Sequence, residues 1–82
     1  MAPSAYISKG CIIESGTIVE PKAVVNANTF IGKGCIISVG AIVDHNVRIG
    51  NCTHINAGAI CKAGAVIDSK VDIDAGVTVQ GH

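Results

Sequence analysis

The amino-acid sequence predicts an all-β fold in which short parallel strands wrap into a triangular solenoid. Three observations support this prediction. An apolar residue recurs every six positions, a small residue precedes it by two positions, and a turn-forming residue usually follows it by three. The period never slips between Ile7 and Val79, so no loop interrupts it. A short internal period of this kind is the signature of repeat architectures, in which each unit packs only against its neighbours.

The apolar column defines the strands. Stepping from Ile7 in sixes selects thirteen residues, all apolar and twelve of them β-branched. Side chains branched at Cβ favour extended backbone. We therefore predict that each is the inward residue of one short strand. The column consists of Ile7, Ile13, Val19, Val25, Ile31, Ile37, Val43, Ile49, Ile55, Cys61, Ile67, Ile73 and Val79.

Two further columns define the turns and the width of the coil. The residue three places after each apolar position is Gly at seven sites and Asn at two, with Lys22, Cys52 and Lys70 as exceptions. Gly and Asn tolerate positive φ, so this column indicates a tight turn. The next residue is always small, as a narrow interior requires. Strands of about four residues then close into coils of 18 residues that stack about 4.8 Å apart. About four and a half such coils are predicted.

The residues just before the apolar column form three outward ladders with a step of 18 residues. The first runs through Tyr6, Val24, Ile42, Ile60 and Thr78, the second through Ile12, Phe30, Arg48 and Val66, and the third through Ile18, Ile36, His54 and Asp72. Apolar rows on an outer face favour packing against identical copies, and a threefold trimer is the expected assembly. The alternative is that β-branched residues simply favour flat strands.

Size, composition and charge restrict the function classes. With 82 residues and 2% aromatic content, the chain makes one small domain, 1–82, without a conventional aromatic core. The formal net charge is +0 with no basic run, which argues against nucleic acid as a partner. We find no signal peptide and no apolar run near the roughly 20 residues of a membrane helix. The cysteines at 11, 35, 52 and 61 lack zinc-ligand spacing, so we expect no metal and a cytoplasmic protein with reduced thiols.

The repeat becomes polar in one segment, VDHNVRIGNCTH at residues 43–54. His45 falls at a corner where its side chain can project into solvent, and Arg48 and His54 interrupt two apolar ladders at the same level. His45 and His54 lie half a coil apart, so they can face each other only across a subunit boundary. Histidine is a natural base for deprotonating an attacking amine or hydroxyl. Ala63, 18 residues beyond His45, can offer its backbone N–H to a developing oxyanion.

The repeat resembles the hexapeptide pattern [LIV]-[GAED]-x-x-[STAV]-x of left-handed parallel β-helix proteins, as in IGKGCI (31–36) and INAGAI (55–60). The resemblance covers essentially the whole chain, and it alone implies the left hand, since the general crossover rule favours the right. Most members are trimeric acyltransferases, although the repeat itself specifies a scaffold. Residues 43–59, V-D-H-N-x-x-I-G-x-x-x-H-I-x-x-G-A, resemble the H-[DE]-x-x-I-G-[DN]-x-x-H-I-x-P-G-A signature of sialic acid and bacillosamine pathway sugar acetyltransferases.

This resemblance implies roles for individual residues. His45 would be the general base, His54 would hydrogen-bond near the thioester of acetyl-CoA, and the amide of Ala63 would contact the thioester carbonyl. Arg48 and Gly58 fall in the same segment and are expected to bind the cofactor. The resemblance also implies acetyl-CoA as co-substrate, a homotrimer, a sugar or nucleotide-sugar acceptor from sugar biosynthesis, and no metal.

The sequence departs from the family pattern in three respects. Asn46 stands where an acidic residue usually follows the base. Its side-chain oxygen can orient the imidazole but cannot stabilise imidazolium as an anion does, and Asp44 is expected to compensate. Ala63 replaces a frequent Gly while keeping the N–H. Members usually carry an N-terminal βαβ domain that binds the sugar nucleotide. The chain is therefore predicted to be the C-terminal part of a longer protein, and APSA at residues 2–5 resembles the junction between the two parts.

The leading interpretation is acetyl-CoA-dependent transfer to an amine or hydroxyl of a sugar. Direct attack by the acceptor is favoured because no Cys or Ser lies beside His45, and Cys52 belongs to another corner. The alternative is a non-catalytic trimerising β-solenoid or an inactive fragment, with His45 and His54 as ordinary exposed residues. Zinc carbonic anhydrases share the fold, but His82, the third histidine, does not complete their ligand set. N- and O-acetylation and other acyl lengths all remain compatible with the motif.

Overall fold

The computed structural model describes residues 4–81, which form a parallel β-solenoid without helices. Part of the APSA segment and all of His82 lie outside the described residues. The strands are β1 (Tyr6–Ile7), β2 (Ile12–Ile13), β3 (Ile18–Val19), β4 (Val24–Val25), β5 (Phe30–Ile31), β6 (Ile36–Ile37), β7 (Ile42–Val43), β8 (Arg48–Ile49), β9 (His54–Ile55), β10 (Ile60–Cys61), β11 (Val66–Ile67), β12 (Asp72–Ile73) and β13 (Thr78–Val79). Each has two residues, fewer than the four expected, because the rest of every hexapeptide bends around a corner. No helix within residues 4–81 is long and apolar enough to cross a membrane.

The strands stack in three parallel sheets, one for each face. The first sheet has the order β1-β4-β7-β10-β13, the second β2-β5-β8-β11 and the third β3-β6-β9-β12. Every pairing has a register of 18 residues, as between Tyr6 and Val24 or between Ile37 and Ile55. The three outward ladders and the solenoid are therefore confirmed. The hand of the coil stays an expectation from the resemblance.

The core is a narrow column of inward side chains. The apolar residue of each strand and the small residue two places before it are both buried through the middle coils, as predicted. Fifteen apolar residues form this core: Val19, Ala23, Val25, Ile31, Cys35, Ile37, Ala41, Val43, Val47, Ile49, Ile55, Ala59, Cys61, Ala65 and Ile67. Burying a side chain the size of Val or Ile contributes about 1.5–3 kcal/mol. The inward column therefore supplies most of the driving force for folding.

All twelve turns place the residue of the turn column at positive φ. The exceptions to the Gly and Asn rule conform as well: Lys22 has φ 61°, Cys52 56° and Lys70 61°. The left-handed conformation costs an L-residue roughly 1–2 kcal/mol. The repeat therefore imposes the turn even where the local residue disfavours it.

Replacing Gly40 tests the cost of this backbone conformation. Gly40 has φ +70°, and a Cβ added there would meet no atom within 4 Å. We expect Gly40→Ala to lower the free energy of unfolding by about 1 kcal/mol through backbone strain alone. Gly40→Asn should cost less, because Asn tolerates this region. Equal losses in urea unfolding would contradict this explanation.

The carbonyl of the first residue in each turn is satisfied in one of two ways. In what we term an open turn, it accepts a hydrogen bond at 2.6–2.9 Å from the side chain 15 residues earlier. The open pairs are Cys11–Asn26, Thr17–Gly32, Thr29–Asp44, Cys35–Gly50 and Thr53–Asp68. In a closed turn, it accepts at 3.0–3.2 Å from the amide three residues later. The closed turns are Glu20–Ala23, Ser38–Ala41, Asn56–Ala59, Lys62–Ala65 and Asp74–Val77.

The residue 15 positions earlier decides between the two. Open turns always follow a Thr or Cys at that position, whereas closed turns follow Ala5, Ala23, Ala41, Val47 and Ala59. A side chain without a donor leaves the carbonyl to find a partner within its own turn, because a buried unpaired carbonyl is costly. The column that the sequence marks only as small therefore also encodes the geometry of the next turn.

Candidate functional site

His45 lies in the turn between β7 and β8, at the corner that joins the first and second sheets. Its side chain is 55% exposed, as the sequence predicts for a corner position. Its Nδ1 is 2.8 Å from Oδ1 of Asp44, and the same carboxylate oxygen accepts a hydrogen bond from the His45 amide at 2.8 Å. One carboxylate therefore holds both the backbone and the ring of the histidine.

The Asp44 carboxylate selects a tautomer of the ring. The pKa of Asp44 is lowered chiefly by the hydrogen bond from the His45 amide; partial desolvation opposes this, and the His45 imidazole and Asn26 side chain add smaller effects in the same direction. An ionised carboxylate only accepts, so the neutral ring carries its proton on Nδ1. The lone pair of Nε2 is then available to a substrate. This is the arrangement that a general base requires.

Asp44, rather than Asn46, takes the position that orients the ring. Asn46 is the turn residue with φ 59°, and its amide donates to the carbonyl of Ala27 at 3.0 Å. Within residues 4–81, no hydrogen bond joins the Asn46 side chain to the imidazole. The expected compensation by Asp44 therefore has a geometric basis, whereas a role for Asn46 stays a prediction.

Ala63 is stacked on His45 at the same corner. The amide of Gly64 donates to the carbonyl of His45 at 3.2 Å, which joins the two turns one coil apart. The His45 amide is capped by Asp44, but the Ala63 amide has no acceptor among residues 4–81. Ala63 is partly exposed. Its N–H can therefore donate to a ligand beside the imidazole.

His54 lies on the third sheet within a small polar cluster. Its Nε2 is 2.9 Å from Oγ of Ser38, and its Nδ1 is 3.9 Å from Oδ1 of Asp72. Asn56 donates to the same Asp72 oxygen at 2.6 Å. The sequence analysis missed Ser38, although its position was available. Ile36 lies one coil below His54, and Ser38, two residues later, faces the same way.

The remaining predicted residues are spread around the same level of the solenoid. The Arg48 guanidinium lies over the Phe30 ring, 5.2 Å from its centroid, in a cation–π contact. Arg48 also lines a shallow cavity of about 220 Å³ on the second sheet, with Phe30, Val66, Asp68 and Ser69. Gly58 lies in the turn after β9 with φ +72° and open space beside it. One chain thus brings together Asp44, His45 and Ala63, while His54 and Gly58 lie elsewhere.

The four cysteines are free, and burial distinguishes their reactivity. Burial raises the pKa of the Cys61 thiol from 9.0 to about 11. Because the thiolate is the nucleophile, we expect iodoacetamide at pH 8 to label exposed Cys52 first and Cys61 only after unfolding. The unfolded thiol ionises at lower pH than the folded one, so this group lowers stability as pH rises from 9.0 to about 11. Equal labelling of Cys52 and Cys61 in the native protein would contradict the assignment.

Repeat, strand register and turns together define a hexapeptide-repeat β-solenoid. Among residues 4–81 there is no group of three or more His, Cys, Asp or Glu side chains that could hold a metal. The structure is similar to that of the acetyltransferase domain of PglB from Neisseria gonorrhoeae FA1090, with a TM-score of 0.70 and 30% sequence identity over 96% of this chain. The present chain spans 47% of that solved chain. No protein-family model and no curated protein sequence matches. The expected resemblance to hexapeptide-repeat acetyltransferases is confirmed.

Proposed function

We propose that this chain is the acyl-transfer domain of an acetyl-CoA-dependent enzyme that acetylates an amine or hydroxyl of a sugar or nucleotide sugar. Similarity to an acetyltransferase domain supports the reaction class. The observation that carries the proposal is the corner formed by Asp44, His45 and Ala63. It places an oriented imidazole and an uncapped amide on adjacent coils.

The chemistry that follows is direct transfer. His45 Nε2 takes the proton of the acceptor amine or hydroxyl as that group attacks the thioester carbonyl carbon. The Ala63 N–H donates to the oxygen that becomes negative, and Asp44 stabilises the imidazolium through Nδ1–H. The tetrahedral intermediate collapses by breaking the C–S bond. The imidazolium returns its proton to the departing thiolate of coenzyme A.

The remaining predicted residues fit this reaction if three copies associate. Large apolar side chains are exposed on all three faces, among them Tyr6 at 56%, Ile12 at 56% and Ile18 at 52%. Exposed apolar rows of this kind are typical of surfaces that pack against a partner. A neighbouring copy would bring its His54 toward the His45 corner, where it would hydrogen-bond near the thioester. Arg48 and Gly58 would then contact the rest of acetyl-CoA.

A non-catalytic trimerising scaffold is the second candidate function. The observation in its favour is the same set of exposed apolar ladders, which requires self-association but no chemistry. In that case Asp44 and His45 would be an ordinary surface ion pair, a contact that contributes little to stability.

Acetyl-CoA binding in a verified trimer separates the two candidates. Sedimentation equilibrium gives the oligomeric state, and calorimetric titration with acetyl-CoA gives the affinity. We expect a trimer that binds acetyl-CoA and transfers the acetyl group to a member of a panel of amino sugars and nucleotide amino sugars. A trimer that shows no binding at millimolar acetyl-CoA would contradict the transferase proposal and favour the scaffold.

A further inference from the structure

The His45 corner contains the one closed turn that lies outside the third corner. The third corner, between the third and first sheets, is closed in every coil, whereas the described turns of the second corner are open. At the first corner, Asp44–Val47 is open beneath Thr29, but Lys62–Ala65 directly above it is closed. The difference arises because Val47 occupies the place of a Thr or Cys and has no donor for the Lys62 carbonyl.

The state of this turn sets the direction of the Ala63 N–H. The carbonyl of Lys62 and the N–H of Ala63 belong to one planar trans peptide and point in opposite directions. Whatever the carbonyl bonds therefore fixes where the N–H points. The Lys62 carbonyl accepts from the Ala65 amide at 3.0 Å. A peptide whose carbonyl accepts a hydrogen bond is also a better donor at its N–H.

The coil below shows the alternative arrangement in the same column. There the Asp44 carbonyl accepts from the Thr29 hydroxyl at 2.8 Å, and the Val47 amide donates to that hydroxyl at 3.4 Å. A hydroxyl at position 47 would be placed to make the same pair of bonds to Lys62 and Ala65, and the turn above would open.

We propose that Val47, although buried and remote from the reacting atoms, is a positioning residue for acetyl transfer. By withholding a donor it closes the Lys62–Ala65 turn and aims the Ala63 N–H at the thioester oxygen. This inference rests on the proposed function, in which that N–H stabilises the oxyanion. It adds a specific requirement to the repeat: the small residue below the oxyanion turn must lack a hydroxyl or thiol.

Two substitutions at the same position separate positioning from packing. Val47→Thr keeps nearly the same shape and adds a hydroxyl, whereas Val47→Ala loses volume and adds no donor. We expect Val47→Thr to open the turn and lower kcat by about 10–100-fold, somewhat less than complete loss of an oxyanion donor, with KM for acetyl-CoA little changed. Val47→Ala should be less stable yet keep the kcat of the parent. Ala5→Thr, which introduces the same hydroxyl below the distant Glu20–Ala23 turn, should also leave kcat unchanged.

The turn itself is observed by the NMR coupling through the hydrogen bond from the Ala65 amide to the Lys62 carbonyl. The coupling should be present in the parent and in Val47→Ala and absent in Val47→Thr. Retention of the coupling in Val47→Thr overturns the turn rule, and parent kcat in a Val47→Thr protein with an open turn overturns the positioning role. A kcat as low in Val47→Ala as in Val47→Thr assigns the effect to packing, which also overturns it.

Two further results keep the proposal falsifiable. If Val47→Thr does not fold, Val47→Cys supplies a thiol donor like that of Cys35, with the same expected outcomes. The reciprocal change Thr53→Val should close the Asp68–Val71 turn and create a coupling between Val71 and Asp68. A parent trimer that transfers no acetyl group to any acceptor overturns the proposed function, and the Val47 role with it, even where both couplings follow the turn rule.

Discussion

Alanine in place of His45 should lower kcat by about 10²–10⁴-fold, because positioned general-base catalysis is lost. Binding of acetyl-CoA should be nearly unchanged, since the proposed base acts on the acceptor and the cofactor contacts remain. The measurement is steady-state transfer to the best acceptor of the panel, with calorimetric binding of acetyl-CoA alongside it.

Asp44→Asn is the matched control for this result. The amide oxygen can still accept the Nδ1–H of His45, but the negative charge that stabilises imidazolium is lost. We expect a smaller loss of kcat than in His45→Ala. A His45→Ala protein that transfers acetyl groups as fast as the parent would reject the base assignment, even if the reaction class is right.

The largest effect on stability should come from Ile31→Ala. Ile31 is fully buried on the second sheet, between Ile13 and Ile49 of the adjacent coils. Truncating a fully buried Ile costs about 2–5 kcal/mol. The high end is expected, because hydrogen bonds to both neighbouring coils prevent the column from collapsing into the cavity. That loss is a large share of the roughly 5–15 kcal/mol that stabilises a typical domain.

Ile12→Ala on the outside of the same sheet is the matched control. Ile12 is 56% exposed, so its truncation should change the free energy of unfolding of a single chain by about 0.5 kcal/mol or less. If copies of the chain pack through this face, the loss appears in the association constant measured by sedimentation equilibrium. Equal unfolding losses for Ile31→Ala and Ile12→Ala in urea would contradict the inward and outward assignment.

The sequence is informative about this fold because its period leaves little freedom. Once Val43 points inward, the six-residue step determines that Ile49 points inward and that His54 points outward. The same regularity explains why Lys22 and Cys52 adopt positive φ: neighbouring coils hold the corner in place, and the local preference is overridden.

The site was less predictable because its contacts are not periodic. The choice of Asp44 over Asn46 as partner of the imidazole depends on side-chain rotamers at one corner. The contact between Ser38 and His54 depends on two side chains from adjacent coils. Val47 did carry a signal in the sequence, but its meaning depends on a carbonyl 15 residues later that only the hydrogen bonds reveal.

The 18-residue register also restricts how such a chain can change in length. Loss or gain of six residues keeps every inward side chain inward, but it rotates all later residues by one face. Ala63 would then no longer stand above His45. Only insertions or deletions of whole 18-residue coils preserve both the interior and the alignment of the faces, so we expect homologues of different length to differ by that unit on either side of residues 44–65.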